Sequence, residues 1–231
     1  MKPARGAAQR LRWMHDRLLA AYGPQHWWPA QTAFEVVVGA YLTQNTAWRS
    51  VERSLERLAA SGALCVEGVR AISVGELAEL IRPSGFATRK APALKAFVAL
   101  LDGRYSGQLA RMEAAPTEAV RRELLALPGV GPETADAILL YALGHGTPMA
   151  DEYLRRIVER HGLLLPAPRK NRAGYEALVE LTRSTFGTDA STDKRLLYNE
   201  FHALTVAVGK AHCGRTAACA GCPLEGDRHT S

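Results

Sequence analysis

Apolar residues recur along this chain at the three- and four-residue intervals of an amphipathic helix, and no run alternates apolar with polar positions for long enough to build a sheet. Leu11, Met14, Leu18 and Tyr22 share one face of a first predicted helix, which Gly23-Pro24 ends. Phe34, Val37, Val38, Tyr41 and Leu42 mark a second; Thr46 is expected to cap a third that carries Val51, Leu55 and Leu58. Leu77, Leu80 and Ile81 give a fourth, stopped at Pro83-Ser84-Gly85, and Leu94, Phe97, Leu100 and Leu101 a fifth. Two more flank Gly129-Val130-Gly131, one starts near Asp151, and two cover roughly residues 175–186 and 193–208. About ten helices joined by short Gly- or Pro-punctuated connections, with no internal repeat, predict an all-α fold.

A chain of 231 residues that is 47% hydrophobic is long enough for one or two domains with a core of their own. It has no stretch of about 18 apolar residues, and its first residues, Met1-Lys2-Pro3-Ala4-Arg5-Gly6, lack the apolar segment of a signal peptide. The expectation is a cytoplasmic protein with no membrane partner. Of its four cysteines three crowd into residues 213–222, an arrangement that is no disulfide framework and suits a reducing compartment. The net charge of +6, with arginines clustered at Arg121-Arg122, Arg155-Arg156 and from Arg169 to Arg172, favours a polyanionic partner without identifying it.

Between two apolar helices stands the turn Leu127-Pro128-Gly129-Val130-Gly131-Pro132. Gly129 and Gly131 are both expected to take positive φ and leave backbone amides uncovered, while Pro132 suits the first position of the following helix. Free N–H groups beside a helix N-terminus form an anion site that grips a phosphodiester and reads no base sequence. A bare Gly-x-Gly turn serves packing more often than binding. Here the flanking residues, with Thr134-Ala135 opening the second apolar helix, make a helix-hairpin-helix signature.

Cys213, Cys219 and Cys222 are spaced to converge on one soft metal centre, and Pro223 after the last of them suits an iron-sulfur run. A fourth thiol is missing: six residues beyond Cys222 stands Arg228, Cys65 is distant in sequence, and His229 is the nearest other ligand-type side chain downstream. A 4Fe-4S cluster, a zinc ion and inert thiols all remain open on spacing alone.

The hairpin, with Asp151 following its turn by about twenty residues, resembles the helix-hairpin-helix-GPD superfamily of base-excision DNA glycosylases, to which endonuclease III belongs. The resemblance runs from about Trp27 to Cys222. Trp27-Trp28-Pro29, Leu42-Thr43-Gln44-Asn45-Thr46, Arg82-Pro83-Ser84-Gly85-Phe86 and Glu133-Thr134-Ala135-Asp136-Ala137-Ile138-Leu139 look most like the branch of 3-methyladenine DNA glycosylase III; the cysteine tail looks like the iron-sulfur module of endonuclease III. The tail departs from that module by a first gap one residue shorter and by the absent fourth cysteine. The resemblance implies two helical subdomains with a DNA-binding cleft between them. One covers residues 28–145 with the hairpin at 118–143, the other joins the N-terminal segment to residues 146–212, and a metal-binding loop occupies 213–222.

It implies site residues as well. Asp151 becomes the essential aspartate, whose charge stabilises the cationic sugar formed as an N-glycosidic bond breaks. Its position at a helix start would be explained by capping alone. Glu133 stands where bifunctional members carry a Schiff-base lysine; a carboxylate forms no imine, so a monofunctional hydrolase is expected. Gln44 takes the place of an inserting residue that fills the gap left by a flipped nucleotide, and Gly129, Val130, Gly131 and Thr134 hold the DNA backbone. Trp27, Trp28, Pro29, Trp48, Phe86 and Lys210 are the expected base pocket, whose aromatic faces attract the positive charge of an alkylated purine. Cys213, Cys219, Cys222 and His229 are the expected ligands of the 4Fe-4S cluster. The combined expectation is a monomeric glycosylase that removes alkylated purines such as 3-methyladenine from damaged double-stranded DNA. A glycosylase/lyase acting on oxidised pyrimidines and a non-catalytic binder of abasic or distorted DNA are its rivals.

Overall fold

In a computed structural model, which describes residues 2–3, 6–25, 27, 30–188 and 193–227, the helical expectation holds throughout. The α-helices are α1 (Ala7–Tyr22), α2 (Ala33–Leu42), α3 (Trp48–Ala60), α4 (Val66–Ala71), α5 (Val74–Leu80), α6 (Ala87–Tyr105), α7 (Leu109–Glu113), α8 (Thr117–Leu125), α9 (Pro132–Ala137), α10 (Glu152–Arg160), α11 (Arg172–Phe186) and α12 (Lys194–Ala211). A π turn, Ile138–Ala142, prolongs α9, and single 3₁₀ turns occupy Arg82–Ser84 and Glu225–Asp227. The extended structure among the described residues is slight: β1 (Lys2–Pro3) pairs antiparallel with β2 (Leu164–Leu165), Lys2 opposite Leu165. No helix among the described residues is long and apolar enough to cross a membrane.

Two compact units divide the chain. The first comprises Trp28–His145 and is built around α2, which is buried from Phe34 to Leu42 with the single exception of Glu35. A helix that is apolar all round belongs inside a bundle, and α2 packs there against α3, α6, α9 and the π turn. Phe97 of α6 is fully buried, with the Tyr41 ring edge-on at 6.3 Å and the Phe34 ring at 6.5 Å. Thr32 caps α2 by accepting from Glu35 N at 3.1 Å, and Ser73 with Glu76 forms a capping box on α5.

The second unit joins Met1–Trp27 to Gly146–Ser231. Leu11, Met14 and Leu18 of α1 face α11 and α12, where Phe186 and Phe201 meet at 5.0 Å. Helix α10 lies on α12 at Gly209, where a Cβ would come within 2.1 Å of the Tyr153 ring; glycine is what permits this close approach. Asn171 and Asp193 cap α11 and α12.

The expected cap at Thr46 is not made. Helix α3 begins at Trp48 with Ala47 as its N-cap, and the Thr46 hydroxyl bonds instead to Gln44 O at 3.0 Å and Ser84 O at 2.6 Å. The single hydroxyl proton is shared between these two carbonyls, and the oxygen accepts from Lys90 Nζ at 2.8 Å in place of a helix amide.

Candidate functional site

In the first unit, α8 and α9 form the hairpin, and Arg121 binds it from one arm to the other. Its guanidinium reaches both carboxylate oxygens of Asp136, at 2.7 and 3.0 Å, and the Asp136 side chain is almost wholly buried. Between the arms, Val130 N donates to Leu127 O and Ala135 N to Gly131 O, and the amides of Gly129 and Gly131 enter neither bond. Gly129 takes the expected positive φ, 75°, but Gly131 does not: its φ is −92° and its backbone extended. A Cβ on Gly131 would meet no atom of the chain, so a bare backbone there keeps the turn open to whatever approaches from outside. Val130 points its side chain inward and offers the turn only its backbone. Glu133 is exposed in the first turn of α9.

Gln44 lies against this turn. Its Nε2 donates to Gly129 O and to the Thr134 hydroxyl, both at 2.9 Å, so the segment between α2 and α3 and the hairpin form one surface. Asn45 and Phe86 both hold left-handed φ, 51° and 50°. For an exposed phenylalanine this conformation is strained, and the surrounding structure has to impose it. Lys90 imposes it. Its buried ammonium donates to Leu42 O at 2.7 Å, to the Thr46 hydroxyl at 2.8 Å and to Ser84 O at 2.9 Å, tying the Gln44 segment to the Phe86 segment. The Phe86 ring lies 5.9 Å from the same ammonium and 4.8 Å from the Arg89 guanidinium. Lys90 was not among the expected site residues, although its place four residues before Leu94 and seven before Phe97 puts it on the buried stripe of α6. Trp48 opens α3 half-buried in this unit.

Burial lowers the Lys90 ammonium from 10.5 to about 8. The folded chain therefore releases this proton near pH 8, whereas the unfolded chain keeps it up to its ordinary value. Across that window the unfolded state binds more protons, and the contribution of Lys90 to stability rises with pH. Urea unfolding from about pH 7 to pH 10 should show this rise in the wild type and its absence in Lys90→Met. Parallel curves for the two proteins would refute the assignment.

In the second unit, Asp151 is the N-cap of α10. Oδ1 accepts from Leu154 N at 2.8 Å, while Oδ2 stands 3.5 Å from His202 Nε2 of α12, with both side chains largely buried. The Trp27 ring lies 5.2 Å from the His202 ring. One carboxylate oxygen is thus used by the helix and the other faces an imidazole beside an indole. Next to Asp151, burial pushes the Glu152 carboxyl up, but hydrogen bonds and charge from Arg155 and Lys170 outweigh it and bring the group down to about 2. His202 was also missed by sequence reasoning; its spacing within α12 looks like that of any buried position. Lys210 is exposed in the last turn of α12. Trp28, Pro29 and His229 lie outside the described residues.

The three clustered thiols meet in one cavity of about 230 Å³, lined also by Arg160, His161 and His212. Arg160, at the end of α10, donates to Cys213 Sγ at 2.9 Å and to the carbonyls of Gly214 and Arg215, which fixes the loop on the helix. Burial raises the Cys222 thiol; the Leu224 amide lowers it, and Cys219, Cys213 and Glu225 beside it raise it again. The buried Tyr22 hydroxyl, which the charge of Cys222 also reaches, has no hydrogen-bond partner among the described residues. No three His, Cys, Asp or Glu among the described residues stand close enough to share a single metal ion. A cluster of several irons holds its ligands further apart than one ion does, and a donor set of three thiols with imidazoles at hand suits iron-sulfur chemistry.

A family model described as HhH-GPD superfamily base excision DNA repair protein matches residues 38–181. Over 212 residues the chain is 40% identical to a Methanocaldococcus jannaschii protein named as a candidate DNA repair glycosylase, with 90% of each chain covered. Among solved structures, the H. pylori 3-methyladenine DNA glycosylase bound to 1,N6-ethenoadenine superposes with a TM-score of 0.74 at 25% identity, over 89% of this chain and 97% of that one. A non-covalent endonuclease III–DNA complex superposes with a TM-score of 0.77 at 22% identity, over 96% and 95% of the two chains, a likeness of fold. With its clamped hairpin, its aspartate capping α10 and a family match across more than half its length, the chain belongs to the HhH-GPD superfamily of base excision DNA repair proteins and is a DNA glycosylase of that family.

Proposed function

We propose that this glycosylase removes alkylated purines from double-stranded DNA by hydrolysis, leaving an abasic site. The observation that carries the reading is the pair of carboxylates: Asp151 partly buried beside His202 and Trp27, and Glu133, not a lysine, exposed in the first turn of α9. In the reaction the N-glycosidic bond breaks and its electron pair leaves with the base. Positive charge gathers on the deoxyribose, and water adds to C1′ and loses a proton. Asp151 supplies the negative charge opposite the sugar and orients the water. An alkylated purine already carries positive charge and leaves as a neutral molecule, so no strong general acid is needed. The similarity to the H. pylori 3-methyladenine enzyme supports this substrate class.

Gln44 acts as the residue that enters the duplex when the nucleotide is extruded, and the amides of Gly129 and Gly131 hold a phosphodiester beside it. Trp27, whose ring stands beside His202, offers an aromatic face to the extruded base. Cys213, Cys219 and Cys222 would hold a 4Fe-4S cluster that fastens the C-terminal loop and supports the basic residues around it; its part would be structural, since glycosidic hydrolysis transfers no electrons. Purified protein tested on duplexes holding 3-methyladenine or thymine glycol should release only the methylated base and give no adduct with borohydride. Release of thymine glycol with an efficiently trapped adduct would assign the chain to the oxidised-pyrimidine lyases instead. Binding to both duplexes with release from neither would make it a non-catalytic binder.

A further inference from the structure

The chain lacks a fourth thiol for the cluster proposed above. Cys65 belongs to the other unit, where its sulfur caps α4 by accepting from Gly68 N at 3.2 Å. Two imidazoles line the thiol cavity, those of His161 and His212. His212, next to Cys213, is half-exposed, and its Nδ1 is 3.0 Å from the carbonyl of Ala218 in the same loop. His161 comes from a different element, the C-terminal end of α10, and its side chain is only 11% exposed. Its Nδ1 lies 3.0 Å from Asp227 Oδ2.

Asp227 is itself gripped by Arg10, whose Nε and Nη2 reach its two oxygens at 2.8 and 2.5 Å. With a guanidinium donating to both of its oxygens, Asp227 stands as a carboxylate with no proton of its own to give. An ionised carboxylate only accepts, so Nδ1 of His161 is the donor and, in the neutral ring, Nε2 keeps its lone pair. Arg10 also donates to the carbonyl of His161 at 2.7 Å, which fixes the backbone that carries the ring. A carboxylate behind an imidazole is the arrangement by which proteins orient a histidine toward a metal.

We infer that His161 is the fourth ligand of the cluster, through Nε2, with Asp227 and Arg10 as the groups that orient it. The inference rests on the cluster reading and adds the ligand that completes it. Exchanging one thiolate for a neutral imidazole removes a negative charge from the centre. The Arg160 donor on Cys213 acts in the same direction, so the cluster is harder to oxidise than one held by four thiolates.

The test uses the full chain purified without oxygen and labelled with ¹⁵N-histidine. Iron and labile sulfide are measured first; pulsed electron paramagnetic resonance on the cluster, brought by one electron to a paramagnetic state, then reads any directly bonded nitrogen. The expected result is an imidazole coupling in the wild type and in His212→Ala, its loss in His161→Ala and His161→Cys, and a lower reduction potential in His161→Cys. An iron-loaded wild type without nitrogen coupling, or a coupling that survives in His161→Ala, overturns the His161 assignment and leaves the cluster standing. A wild type that holds no iron overturns the cluster reading, and the ligand with it.

Discussion

Asp151→Asn should lose base release by at least about a hundredfold while the chain folds and binds DNA as before. Asparagine caps a helix as well as aspartate does, so the bond from Leu154 N survives the exchange and α10 keeps its first turn. What disappears is the charge. The carbonyl oxygen that replaces Oδ1 still serves the helix, but the atom facing His202 no longer carries negative charge to set against a cationic sugar. Single-turnover rates on a duplex holding 3-methyladenine, with binding followed by fluorescence anisotropy, separate the two effects. Asp151→Ala supplies the contrast, adding a loss of about 1 kcal/mol of stability from the missing cap. If Asp151→Asn retains a rate within about tenfold of the wild type, charge stabilisation by this carboxylate is not the source of the activity.

Asp136→Ala should be among the most damaging substitutions outside the reacting groups. It takes away the carboxylate that answers the Arg121 guanidinium across the hairpin, in a place where the aspartate side chain is 1% exposed and the arginine 18%. Removing one partner of a buried pair costs roughly 3 kcal/mol. For a chain of this length that corresponds to a fall in Tm of about 6–12 °C. Affinity for undamaged duplex should fall with it, because the two arms that position Gly129 and Gly131 lose their cross-link. The double substitution Arg121→Met with Asp136→Val should recover much of the stability, since two apolar side chains replace the pair and neither charge is left buried alone. A double variant no more stable than Asp136→Ala would show that the pair does more than join the arms.

Periodicity placed the long helices well because their apolar positions recur at helical spacing, as Leu11, Met14 and Leu18 do in α1; the central place of α2 came only with the structure. The turn of the hairpin was legible because its glycines and proline each have a narrow backbone use, although Gly131 proved to serve open access and not positive φ. Polar groups in unusual places were harder to find. Thr46 looked like a cap because a threonine before a helix usually is one, and nothing local showed that Gln44 and Ser84 would offer it carbonyls. Lys90, Asp136 and His202 lie on buried faces in positions that a reader fills with apolar residues, and each is explained by a partner at least 15 residues away in sequence or on another helix. The short helices α4 and α7 escaped for a different reason: five or six residues carry too few apolar positions to establish a period.

The two hydrogen bonds that Gln44 makes to Gly129 O and the Thr134 hydroxyl bear on how such an enzyme searches. Under the role proposed for Gln44, the side chain must leave both acceptors before it can occupy a duplex. That exchange is favourable only where the duplex has already lost part of its own stacking or pairing. On that proposal the amide would stay on the hairpin over sound base pairs and leave it only over a weakened one, so that the threshold for insertion would be set by the protein's own turn before any pocket had touched the base.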